Sequence, residues 1–319
     1  MLSKIKNNAI NFIITLLLIP FELILTIFAF PFRSEKNLKI IQKEGIVFFI
    51  FFSMIVDTCV YLVFGINVLI VYAFFSQIIP LVYEIIQNKK ISFDFFDKLL
   101  SGTLFITGLL FIIYDYFWDK LIPNNKFLYN GMNQAISAML TGGNNVINLI
   151  NKSELARKIE TFNFFEKIKA VYEITIVSMG NTPVGYLSIF SLSFLLIVFL
   201  ALRDNRTNCY SWKLSYYYLI PYIIIMFITF TYSKNLIKYD LEEKTQIFLV
   251  NIREAIVFAV SIYGVKEVNY LLKSKKRYKE LRYLLSAVLF IIFSDIFFVY
   301  GAFMTFFKNK KRNITVKEE

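Results

Sequence analysis

Between Ile46 and Ile86 the chain is apolar almost without interruption. At a rise of 1.5 Å per residue, a helical run of about 40 residues measures roughly two hydrocarbon thicknesses. A soluble domain has no core of that length, whereas a bilayer takes it up as two crossings. The turn signal near its middle is Gly65-Ile66-Asn67, so the stretch predicts two spans joined by a tight hairpin. The remaining sequence must share that solvent, and its composition agrees. Of 319 residues, 57% are hydrophobic and 18% charged, and 36 are Phe and 20 Tyr. A soluble chain carries about 25% charged residues. Lipid, not water, is the medium that makes such a chain foldable.

Apolar windows separated by charged junctions predict an all-α, polytopic membrane bundle of about eight transmembrane helices with an amphipathic middle segment. The first span runs from Asn8 to Pro31. It is kinked at Pro20, since proline has no N–H to continue the helical ladder; a segment broken there is the alternative. Basic residues precede it as in a signal peptide, but no small-residue cleavage site follows, so it reads as a retained span. Arg33 to Gly45 reads as a basic junction at the headgroup level. The hairpin supplies the second and third spans. Leu99 to Trp118 is the fourth, ending in Tyr114, Tyr116, Phe117 and Trp118, which suit the membrane–water boundary. Pro183–Leu202, Leu214–Ser233, Gln246–Lys273 and Tyr283–Phe307 complete the set.

Residues 123–182 are more polar and contain no spanning window. Leu128, Met132, Ala135, Ile136, Met139 and Leu140 recur at helical spacing until Thr141–Asn145 breaks the pattern. A second helix, capped by Asn151 or Ser153, carries the stripe Leu155, Ile159, Phe162, Phe165, Ile168 and Tyr172. Such helices lie on a membrane surface or cover a bundle, or simply link two halves. The predicted organisation is therefore a four-span half (1–122), the amphipathic segment (123–182), a second four-span half (183–307) and a basic polar tail (308–319).

The formal net charge of +12 sits in short junctions between apolar runs. A nucleic-acid surface would need one clustered basic face, so nucleic acid is not an expected partner. The chain has two cysteines, Cys59 and Cys209, and no histidine. It thus lacks a disulfide framework and a metal-ligand pattern, and the commonest general base at neutral pH. It also has no Gly-rich phosphate loop and no nucleophile–histidine pair. No catalytic residue, metal or cofactor is expected, and the chain does not read as an enzyme.

What remains is a set of ionisable residues within apolar runs. Charges inside a span are expensive and normally face the bundle interior and a partner. Arg253 and Glu254 lie in the first third of the span Gln246–Lys273. They stand about 100° apart around the helix, which predicts contacts with different neighbouring helices. Asp57, Asp295 and Glu22 are candidate partners, and Asn251 and Ser261 add hydrogen-bonding capacity. Lys266 and Glu267, near the span's end, read as snorkelling residues; Asp115, Asp119 and Glu84 read as solvated. The seam serves either a solute or cation site, or helix register alone.

Pro183 at the start of the fifth span, the segment SWKLSYYYLIP (Ser211–Pro221) and the closing segment IIFSDIFFVYGAFMTFFKNKK (Ile291–Lys311) resemble a known pattern. The chain is similar to the YybS-like predicted membrane proteins of bacteria. Asp295 matches that family's aspartate and Lys308–Arg312 its basic end, while Phe293-Ser294 replaces its usual Gly-Leu. The resemblance implies the eight-span architecture and a bacterial inner membrane. It also implies a distant similarity to substrate-binding subunits of energy-coupling-factor transporters, although Ala9 and Ala29 do not form the AxxxA spacing those subunits use. The expected function is binding or helping to transport a small solute, with membrane lipids and a membrane protein or separate ATPase as partners. The alternative is a scaffold of an envelope complex.

Overall fold

The computed structural model describes residues 14, 18–23, 25, 29–88, 94–121, 162–170, 172, 185–207, 212–233, 243–273, 290 and 294–315. All regular structure among them is helical. Four helices are long and apolar enough to cross a membrane: Ile46–Phe64, Ile66–Asn88, Phe95–Ile112 and Tyr186–Arg203. Tyr216–Thr231 and Ser294–Phe307 are shorter apolar helices. The chain divides into two compact units, Met1–Asn88 with Gly108–Gly185, and Lys89–Thr107 with Tyr186–Glu319.

In the first unit, residues 18–23 are helical through Pro20. Helix α1 follows (Ala29–Glu44), with Pro31 in its first turn, where a missing N–H is tolerated. Gly45 separates α1 from α2 (Ile46–Phe64), and Gly65 separates α2 from α3 (Ile66–Ala73). Their φ angles are 92° and 86°. A side chain would be strained at either position even though the space around each is open. The chain continues through a π-helical segment, Phe74–Ile78, into α4 (Ile79–Asn88). The break at Gly65 is where the sequence predicts it. Asp57 and Gln77, on its two sides, are hydrogen-bonded, so the two arms return against each other.

The junction Arg33–Gly45 does not lie apart from the bundle as a headgroup-level connector. Ser34, Asn37 and Gln42 meet Phe75, Ser76 and Glu84 in the same order, so α1 runs parallel beside the π segment and α4. Its buried face is Phe30, Arg33, Ser34, Asn37, Leu38 and Ile41. The polar members of that face find acceptors inside the unit, and Phe30 stacks on Phe75 at 5.7 Å. The opposite situation holds on α2, of which only 22% is buried. Val47 is 70% exposed, Phe51 65%, Met54 60% and Leu62 74%. A contiguous outward apolar face of this kind is incompatible with water and belongs to a membrane protein.

Within the middle segment, the helix expected from Asn151 or Ser153 has its proposed caps outside the described residues. Phe162 and Asn163 interrupt it, and a helix begins at Phe164. Asn163 and Glu166 form a reciprocal capping box, each side chain accepting the other's backbone N–H at 2.9 Å. Ile168, Ala170 and Tyr172 are buried behind it, and Phe165 packs on Phe64.

The second unit begins with the first part of α5 (Phe95–Leu121); the division between the units falls inside this helix, at Thr107–Gly108. The side chains of Tyr114–Trp118, Asp115 and Asp119 lie outside the described residues. Helices α6 (Gly185–Arg203), α7 (Leu219–Ser233), α8 (Glu243–Lys273) and α9 (Ser294–Thr315) follow. The sixth predicted span is shorter than expected at its start. Ser215 is extended and caps a single 3-10 turn, Tyr216–Tyr218, before α7 begins. Helix α9 continues through Lys308–Arg312, so the basic stretch read as a polar tail is helical as far as Thr315. Tyr186, Phe190 and Phe194 form a ring ladder along α6. Phe96 meets its end edge-on and also packs against Trp212 and Tyr263.

Candidate functional site

A polar interior that the sequence reading did not anticipate lies in the first unit, and its origin is Pro80. In a regular α-helix the carbonyl of Ser76 would accept the N–H of residue 80, which proline lacks. The helix widens just before that point. The Ile79 N–H goes to the Phe74 carbonyl, an i→i−5 bond, and so no longer serves Phe75. The π-type donor for Phe75 would again be residue 80. Two carbonyls are thereby released in a helix surrounded by apolar side chains, where an unpaired group costs on the order of 1–3 kcal/mol. Helix α1 supplies both partners. Ser34 Oγ donates to the Phe75 carbonyl at 2.7 Å, and Asn37 Nδ2 to the Ser76 carbonyl at 2.7 Å. Single-turn π segments are frequent at functional sites.

Around this break sit the ionisable groups. Arg33 is almost completely buried and donates from Nε to Glu22 Oε2 at 2.8 Å, the two side chains being 1% and 17% exposed. Gln77, within the π segment, donates from Nε2 to Asp57 Oδ1 at 2.7 Å. The buried Tyr72 lies close enough to both clusters for the charges of Arg33, Glu22 and Asp57 to act on its hydroxyl, which is hydrogen-bonded with Ser76. Tyr172 donates to the Leu23 carbonyl at 3.1 Å. Burial, with Tyr72 nearby, pushes its phenol well up from its ordinary range, so it remains a neutral donor. At the far end of α4, Glu84 accepts from Gln42 at 3.4 Å and Asn88 at 2.9 Å. It is buried, not solvated as its place near a span end implies.

The sequence-derived candidates divide between the units. Glu22 and Asp57 belong to the first, each next to the Pro80 break. Arg253, Glu254, Asn251 and Asp295 belong to the second. Arg253 and Glu254 turn first to each other: Arg253 Nε donates to Glu254 Oε1 at 2.8 Å. Two long side chains can bend toward each other across a 100° step, which makes the adjacent pair its own counter-ion. Arg253 also approaches Met226 Sδ on α7 at 3.9 Å. Asn251 Oδ1 accepts the Leu187 N–H at 3.1 Å, a contact that holds the first turn of α6. Asp295 is exposed in the first turn of α9, beside an open hollow lined by Ile296, Val299, Tyr300 and Phe303.

Lys266 and Glu267 do not snorkel. Their side chains are 11% and 1% exposed and pair at 2.6 Å, while Lys266 Nζ also donates to the Trp212 carbonyl at 2.6 Å. The Asp97 carboxylate accepts the Ser215 N–H at 2.8 Å. These contacts tie the irregular Trp212–Ser215 strip to α5 and α8. Ser34, Asn37, Tyr72 and Gln77 are the residues that sequence reasoning passed over. The signal available for them was Pro80 inside an apolar span, with polar residues recurring on one face of the segment before it. Among the described residues no His, Cys, Asp and Glu group could hold a metal ion. No family model, characterised protein or solved structure matches the chain.

Proposed function

We propose that the protein is a non-enzymatic, multi-pass component of a bacterial inner membrane. It binds a small polar solute, or helps to move it, through the seam beside the Pro80 break. This reading takes eight crossings and the YybS-like architecture as its frame, with any ATPase on a separate chain. The observation that carries it is the collection of Arg33, Glu22, Tyr72, Asp57 and Gln77 around a helix break in a unit whose outer face is apolar. Intramembrane ionisable groups of this kind typically mark solute or ion paths, and interrupted helices in transporters serve as binding elements. Register locking alone would be met by the two bonds from Ser34 and Asn37; it leaves the second cluster at Asp57 without a purpose.

The test is extraction of the detergent-purified protein with organic solvent, followed by mass spectrometry of the released small molecules. A stoichiometric small molecule is expected from the wild type. Its recovery should drop at least tenfold in Tyr72→Phe and Asp57→Asn, which conserve volume. A wild type that releases only lipid, or equal recovery from all three proteins, overturns the proposal. The scaffold alternative draws on residues 123–182, most of which lie outside the described residues.

A further inference from the structure

Asp57 stands near the middle of α2, a membrane-length helix; its neighbours Ile55, Val56 and Cys59 are apolar, and the Thr58 hydroxyl is turned to the Met54 carbonyl. Among the described residues its carboxylate is hydrogen-bonded to a neutral donor, the Gln77 amide. Arg33, the cation whose charge reaches Tyr72 alongside Asp57, is engaged by Glu22. Among the described residues the other titratable group in reach of Asp57 is Tyr72, which supplies no positive charge. An ionised carboxylate held in hydrocarbon by one neutral hydrogen bond is costly by several kcal/mol, and such a group neutralises instead. Neutralisation requires a proton or a bound metal cation. The group facing Oδ1 is an N–H, which repels a cation, and no further carboxylate joins a ligand set there among the described residues.

We infer that Asp57 is a proton-binding site, protonated at neutral pH, with Gln77 holding Oδ1 as the carbonyl oxygen and the exchangeable proton on Oδ2. The site loads by taking a proton from bulk water and unloads by returning it there, leaving the carboxylate hydrogen-bonded to Gln77. This goes beyond the solute reading and stands without it; if a solute does move here, its coupling ion is the proton. Asp57 lies at the border of the buried face of α2, within reach of a lipid-soluble reagent.

The experiment treats the full-length protein in detergent with dicyclohexylcarbodiimide, which forms a stable adduct with protonated carboxyls in apolar surroundings, and maps the adduct by peptide mass spectrometry. Infrared spectra of the wild type and Asp57→Asn are compared in parallel. Labelling of Asp57 at neutral pH is expected, falling at least fivefold at alkaline pH. In Gln77→Leu, where the ionised form loses its donor, labelling should persist to higher pH. The wild type should also show a protonated-carboxyl band that Asp57→Asn lacks. A difference spectrum showing only a carboxylate band at neutral pH overturns the inference, whatever the reagent does. Protection of Asp57 by sodium, and not by pH, overturns it in favour of a metal cation. Solute release in the preceding test does not bear on either outcome.

Discussion

At the scale of single residues, the first unit is governed by what Pro80 cannot donate. Ser34 stabilises because it answers the Phe75 carbonyl, so Ser34→Ala should destabilise the protein by about 1–3 kcal/mol. The same substitution in a Pro80→Ala background should be nearly silent, because residue 80 then regains its N–H and the helix can pair its own carbonyls. Thermal unfolding of the four proteins in one detergent measures the coupling; equal effects of Ser34→Ala in both backgrounds would refute this account of the π segment. The Arg33–Glu22 pair follows a different rule. Removing one partner of a buried pair leaves an uncompensated charge and costs about 3–5 kcal/mol, whereas replacing both by apolar residues is often tolerated. Arg33→Leu alone should therefore be the most damaging of these changes, and Arg33→Leu with Glu22→Leu should recover much of the loss.

At the scale of elements, α8 and α9 touch backbone to backbone. A Cβ at Gly264 would stand 2.1 Å from the Phe297 carbonyl oxygen, and one at Gly301 2.3 Å from that of Val260. Neither obstacle is a side chain that can swing aside. Small residues at such crossings let membrane helices approach closely, and Ser261 adds a hydrogen bond to the Ser294 carbonyl at 3.3 Å. Gly264→Leu or Gly301→Leu should separate the helices and lower the midpoint of thermal unfolding, while Gly108→Leu, with open space around it, should not. The same scale shows how much was legible beforehand. The Gly65 turn was, because a long apolar run has to reverse and only one place permits it. The burial of α1 was not. Averaged over Arg33–Gly45 the segment is polar, and its partners are carbonyls released by a proline some 40 positions on, a relation that no local window contains. The pairing of Arg253 with Glu254 was not legible, since a helical wheel fixes Cβ directions and leaves the ends of long side chains free.

At the scale of the whole molecule, the question is the number of crossings. Four membrane-length helices are evident among the described residues, and the eight-span reading adds the first segment and α7, α8 and α9. An even number has a consequence that no helix inventory supplies: both ends of the chain share one face. Residues 123–182 must then lie on that face too, and the basic cluster Lys273–Arg282 on the opposite one, which the positive-inside bias of short loops makes cytoplasmic. In a background lacking Cys59 and Cys209, single cysteines at Ser3, Thr141 and Thr315 should react in intact cells with a membrane-impermeant maleimide. One at Ser274 should react only after the membrane is opened. If Ser3 and Thr315 label from opposite faces, the count is odd and one of the shorter apolar helices does not cross. If both ends label only in opened cells and Ser274 labels in intact ones, the count holds and the orientation is reversed. The charge bias would then have been outweighed by the basic termini, Lys4, Lys6 and the Lys308–Arg312 stretch.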